Sequence, residues 1–139
     1  MQRDYLEIHT DGGSRGNPGP AACAFVAEVN GEVVGSGSEF LENNTNNFAE
    51  YRGVILALNW LLNNKNLYGG NYVIFLLDSE LVVKQLNGIY KIKNKDLLTL
   101  SLKIRKLVSN FTGKIFFKNV PREQNKKADL LLNHELDRH

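Results

Sequence analysis

Hydrophobic and polar positions along this chain follow two periods, and the switches between them mark the expected elements. Tyr5 to Thr10 is rich in β-formers and reads as a strand that stops at a Gly/Pro loop from Gly12 to Pro20. Ala21 to Val29 and Glu32 to Leu41 are strand-like and flank Asn30-Gly31, the strongest short hairpin signal. Gly35 and Gly37 weaken the third strand or mark a bulge. From Asn46 to Asn64 the period becomes helical, with Tyr51, Ile55, Leu58 and Leu62 on one stripe and Thr45 as its N-cap. Tyr72 to Leu77 is apolar on both faces, as a central strand covered by helices should be. Ser79 to Leu86 reads as a short helix capped by Asp78 or Ser79. A second stripe of Leu97, Leu100, Ile104, Leu107 and Val108 gives another helix. Lys114 to Val120 returns to strand, Pro121 breaks it, and Asn125 to Leu136 closes the chain as a helix. The order β-β-β-α-β-α-α-β-α predicts an α/β fold, a five-stranded mixed sheet with helices on both faces.

At 139 residues and 42% hydrophobic content, the chain is expected to form a single domain over residues 1–139. No apolar run reaches the roughly 20 residues of a membrane span, and Met1 to Tyr5 lacks the apolar region of a signal peptide. One cysteine, Cys23, allows no internal disulfide and fits a cytoplasmic setting. Charge changes the picture more than composition does. Residues 1–83 hold 4 Lys/Arg and 10 Asp/Glu, a net −6, whereas residues 84–127 hold 12 against 2, a net +10. A basic block beside acidic residues suggests a polyanion gripped by one region and processed by the other. A solvated helix face is the competing reading of that block.

The acidic candidates are Asp11, Glu50, Asp78 and Asp129, each inside a short local pattern. Asp11 opens Asp-Gly-Gly-Ser-Arg-Gly-Asn-Pro-Gly-Pro, and Glu50 ends Thr45-Asn46-Asn47-Phe48-Ala49-Glu50. Asp78 ends the apolar run from Tyr72, and Asp129 follows Val-Pro-Arg-Glu-Gln-Asn-Lys-Lys-Ala. Taken one at a time, Asp11 could be a turn-former, Glu50 a macrodipole partner, Asp78 an N-cap and Asp129 a solvated helix residue. Carboxylates at strand ends and helix starts can instead converge at one sheet edge, where they repel one another unless cations hold them. All-oxygen ligands suit Mg²⁺ or Mn²⁺, and the natural work of such a cluster is two-metal phosphodiester hydrolysis. His9, His134 and His139 show no metal-ligand spacing, although His9 shares a strand face with Asp11. Trp60 and Cys23 read as packing residues.

In this order and on these elements, the four patterns resemble type 1 ribonuclease H, over essentially the whole chain from Tyr5 to about Asp137. The resemblance implies that Asp11 bridges two metal ions, and that Glu50 and Asp78 complete the site that stabilises the leaving oxygen. It implies that Asp129 holds the metal that activates water. The substrate would be an RNA–DNA hybrid, whose RNA strand is cut to leave 5′-phosphate and 3′-hydroxyl ends. Asn17, Asn46 and Asn47 are similar to residues that contact the hybrid's minor groove, and Thr45 to one that fixes a DNA-strand phosphate. The backbone of the loop beginning at Gly12 is expected to face the nucleic acid. Two departures matter. Arg122 stands where many members have a histidine, and arginine cannot shuttle protons, so it is expected to bind phosphate or neutralise charge. The segment Asn87 to Asp96 is short, leaving Lys91, Lys93 and Lys95 as the substrate grip in place of a longer basic handle. A monomer without an obligate protein partner is expected. Alternatives are a catalytically silent hybrid-binding module and a nuclease of the same fold acting on double-stranded RNA.

Overall fold

The computed structural model describes residues 5–139, so the reading of Met1 to Asp4 lies outside the described residues. Five strands form one mixed sheet in the order β3-β2-β1-β4-β5: β1 Leu6–Ser14, β2 Gly19–Val29, β3 Glu32–Asn44, β4 Tyr72–Leu77 and β5 Lys114–Asn119. β1, β2 and β3 pair antiparallel, while β4 and β5 run parallel to β1. The helices are α1 Asn46–Asn63, α2 Lys65–Tyr68, α3 Glu80–Leu86, α4 Lys95–Ser109 and α5 Lys126–Asp137. The expected architecture is present, with α2 as one extra helical turn that the periodicity did not indicate.

The local signals act where the sequence placed them. Asn30 and Gly31 both take positive φ, 51° and 81°, in the β2–β3 turn. Val34 is the extra residue of a bulge, since Ala27 pairs with Gly35 but Glu28 pairs with Val33. The Trp60 ring lies over Gly35, where a Cβ would collide with it, and packs on Phe25 and Tyr68. Cys23 is buried and its thiol is pushed up to about 12 by that burial, so it is an inert packing group. The main core lies between the sheet and α1, α3 and α4, built on Leu6, Ile8, Tyr51, Leu58, Leu61 and Phe75. On the opposite face α5 rests Leu132 and Leu136 on Ala22 and Ala24.

One expectation is corrected here. Gly12 and Gly13 do not open a loop: β1 continues to Ser14, β2 begins at Gly19, and only residues 15–18 connect them. Gly12 pairs with Cys23 and Gly13 with Ala22. These glycines are needed for close approach rather than for a turn. A Cβ on Gly12 would collide with the backbone of Ala49 and Glu50, so its absence lets the first turn of α1 lie directly on β1.

Candidate metal centre

Asp11 sits inside β1 on the face that α5 covers, next to Ala24 across the ladder. Glu50 is brought in by the approach at Gly12, in the first turns of α1. Thr45 starts that helix by accepting the Phe48 N–H at 3.2 Å. Asp78 directly follows β4, and Ser79, not Asp78, caps α3 by accepting from the Val82 N–H. The Asp78 carboxylate is therefore released from capping. One oxygen from each of Asp11, Glu50 and Asp78 lies within 4.8 Å of the others. Asp129, in the first turn of α5, lines the same cleft of about 450 Å³ without joining that tight trio. The Asn133 amide donates to its carboxylate at 3.3 Å and to its carbonyl at 2.9 Å.

The electrostatics show a cluster under strain. Burial, then Asp78 and Asp129, push the Asp11 carboxyl up to about 7, against a hydrogen bond from the Gly12 N–H at 2.9 Å. Burial and the neighbouring carboxylates also push Glu50 well up, and it shares a hydrogen bond with Asp11. Its second oxygen, Oε2, is buried with no hydrogen-bond partner. Asp78 is raised by burial, with Arg122 acting in the opposite sense. The Arg122 side chain is 84% exposed and its Nε stands 3.8 Å from Asp78 Oδ2. An orphaned buried oxygen beside three mutually repelling carboxyl groups, with only oxygen donors, fits a hard divalent cation.

Around the trio, Asn46 Oδ1 accepts the Ser14 N–H at 2.8 Å and Asn17 Oδ1 accepts the Asn46 N–H at 3.0 Å. The two asparagines thus spend their carbonyl groups on the backbone, which fixes their NH₂ groups as the outward donors. A second cleft of about 440 Å³ runs from Asn17, Thr45, Asn46 and Asn47 to Asn94 and Asp96 at the start of α4. Lys91, Lys93 and Lys95 are exposed, and none makes an ion pair among the described residues. Gly12 is buried and lines the cleft, and its N–H is spent on holding the Asp11 carboxylate. Sequence reasoning missed Arg15 and Asn133, which line the first cleft with the carboxylates, and Asn125, which immediately precedes α5. The i, i+4 spacing of Asp129 and Asn133 was a usable signal.

A family model described as reverse transcriptase-like matches residues 9–135. The crystal structure of LC11-RNase H1 in complex with an RNA/DNA hybrid is 36% identical in sequence, superposes with a TM-score of 0.90, and is matched over 96% of this chain and 97% of that one. The chain belongs to this family and, within it, to the type 1 ribonuclease H proteins. A similar type 1 ribonuclease H, the ribonuclease HI of Halobacterium salinarum, is 38% identical over 133 residues, covering 95% of this chain and 64% of its own length. The amino-terminal ribonuclease H domain of a Mycobacterium tuberculosis protein, solved as a fusion, is 38% identical with a TM-score of 0.87, covering 97% of this chain and 95% of that one. The full mycobacterial protein, described as bifunctional, is 40% identical over 132 residues, but this chain spans only 35% of its length. Ribonuclease H proteins are metal-dependent, and the acidic trio is where this member could hold a metal. No helix among the described residues is long and apolar enough to cross a membrane.

Proposed function

We propose that this chain hydrolyses the RNA strand of RNA–DNA hybrids, with two Mg²⁺ or Mn²⁺ ions held by Asp11, Glu50, Asp78 and Asp129. The observation that carries this reading is the convergence of three carboxylate oxygens within 4.8 Å, one carboxylate keeping a buried oxygen without a donor. The ions would supply a nucleophilic water and stabilise charge on the leaving oxygen. The protein's own part is to hold the anionic ligands in place before substrate arrives. Asp11 is fixed by the strand ladder and the Gly12 N–H, Glu50 by the closeness of α1 to β1, and Asp129 by Asn133. Arg122, beside Asp78 but largely exposed, is placed to neutralise charge on a phosphate entering the cleft.

Asn17 and Asn46 direct amide donors towards the groove, which suits 2′-hydroxyls and base edges in a minor groove. Thr45, Asn47 and the second cleft continue that surface towards Lys91, Lys93 and Lys95, where the partner strand's phosphates would lie. The similarity to LC11-RNase H1, whose structure holds an RNA/DNA hybrid, supports a hybrid as the ligand class. The decisive experiment incubates end-labelled hybrid, duplex RNA, duplex DNA and single-stranded RNA with the protein, with and without Mg²⁺ or Mn²⁺. The expected result is metal-dependent cutting of the hybrid's RNA strand to 5′-phosphate and 3′-hydroxyl products. Cleavage undiminished in chelator would overturn the metal reading. Binding without cutting under either metal would make this a silent module, and faster cutting of duplex RNA would reassign the substrate.

A further inference from the structure

Asn125 immediately precedes α5, where an asparagine ordinarily turns its side chain back to cap the helix. Here it makes no such bond, and its side chain is buried, with 1% of the residue exposed. Both polar atoms of its amide are instead directed at β1. Nδ2 donates to the Thr10 carbonyl at 2.8 Å, and Oδ1 lies 3.1 Å from His9 Nδ1. Because Nδ2 must donate to a carbonyl, the amide cannot be flipped, and Oδ1 must accept. The proton of the pair therefore sits on His9 Nδ1. On the ring's other side, Nε2 is 3.5 Å from Glu28 Oε1, and Lys127 of α5 reaches Glu28 Oε2 at 3.3 Å.

The backbone of Asn125 completes the tie. Its N–H donates to Arg122 and its carbonyl accepts from the Asp129 N–H, at 2.9 and 3.1 Å. One buried residue thus links β1 to the turn carrying Arg122 and to the helical turn carrying Asp129. On the β1 side its partners are His9 and Thr10, and Asp11 follows directly. The geometry points to His9 as a positioning residue: through Asn125 it fixes the offset between Asp11 and Asp129, and so the spacing of the metal ligands contributed by β1 and α5. His9 touches neither substrate nor metal in this role. The inference rests on the proposed hybrid cleavage and deepens it.

An apolar side chain at position 9 would leave Asn125 Oδ1 buried without a donor, loosening the start of α5. The test compares the parent with His9→Phe, which keeps ring volume but has no N–H, and His9→Asn, whose amide can donate from the place of Nδ1. Three quantities are read: Mn²⁺ affinity by calorimetry, kcat and KM on hybrid, and the folded fraction by melting. Outer partners of metal ligands commonly alter affinity or activity by 10- to 100-fold. The expected result for His9→Phe is about tenfold weaker Mn²⁺ binding and a lower kcat with KM unchanged, and His9→Asn should recover most of both. Parent-like Mn²⁺ affinity in a folded His9→Phe overturns the inference, as does a loss that merely tracks the unfolded fraction. If the parent cuts no hybrid, the proposed activity fails on its own, and calorimetry still decides whether His9 positions the ligands.

Discussion

Asp11 and Glu50 reach the cleft as buried residues, on a strand and a helix that lie against each other at Gly12. Lys91, Lys93 and Lys95 stand exposed along an irregular stretch and the first residue of α4, without ion-pair partners among the described residues. The first group is costly to assemble, since burial and mutual repulsion both oppose its charges. The second costs little and holds little in place. A fold retains the costly arrangement only if the packing around it enforces the geometry. On the proposed function, the anionic cluster is therefore where chemistry should depend on position, and the lysines are where affinity should depend on charge alone.

The sharpest way to break that contrast is Asp11→Asn. It should lower cleavage by more than about a hundredfold, beyond what even the outer partners of metal ligands contribute. Melting of the metal-free protein should rise by roughly several degrees, because one repelling, desolvated charge is gone. Activity and stability moving in opposite directions is the signature of a strained site. If Asp11→Asn is inactive because it melts, the residue is a structural one and the contrast collapses.

The same strain has a pH dependence. The Asp11 carboxyl is raised from 3.8 to about 7, and Glu50 is raised with it, so between those pH values the folded state keeps protons that the unfolded chain has released. Stability of the metal-free protein should then be highest at the acid end of that window and fall as pH rises through about 7. The total should be on the order of a few kcal/mol. On the proposed function divalent ions would take the place of those protons, so saturating Mn²⁺ should raise the melting temperature more at pH 8 than at pH 5.5. Equal stabilisation at both values would mean that the ions bind elsewhere.

How far these regions could be read from the sequence follows from the range of the forces involved. The Asn30-Gly31 turn, the Thr45 and Ser79 caps and the apolar β4 strand are local, and each acts within a few residues of its signal. The order of the four acidic patterns was legible for the same reason. Gly12 and Gly13 were misread because a glycine that admits a neighbouring helix looks identical, in sequence, to one that makes a turn. The hydrogen bonds of Asn125 to Thr10 and His9 join residues more than a hundred positions apart. No periodicity reports them. Nor could spacing show that Asp11, Glu50 and Asp78 close into a tight trio while Asp129 stands at its rim.

Arg122 crosses the division, being an exposed charge within reach of a half-buried carboxylate. If it neutralises charge as the transition state forms, Arg122→Ala should lower kcat about tenfold with little change in KM. Removing it also leaves Asp78 without the cation that offsets its burial, so the Asp78 carboxyl should move further up and the acid limb of the rate profile with it. A raised KM at parent kcat would instead class Arg122 with the lysines, as a tether.

The smallest effect belongs to the lysines themselves. Replacing Lys91, Lys93 and Lys95 by Ala removes three of the twelve cations in the +10 block. If all three neutralise phosphates of a duplex-like hybrid, the slope of log affinity against log salt should flatten by up to about 2.7, at roughly 0.9 per phosphate contact. Turnover of bound, metal-saturated substrate should stay near the parent value, because no buried ligand has moved. Affinity at low salt would fall most and affinity at high salt least, since counterion release supplies the difference. An unchanged slope would show that these lysines only solvate the surface. A reduced kcat at saturating hybrid would show the opposite error, that an exposed and unpaired charge can still govern the geometry of the cleft.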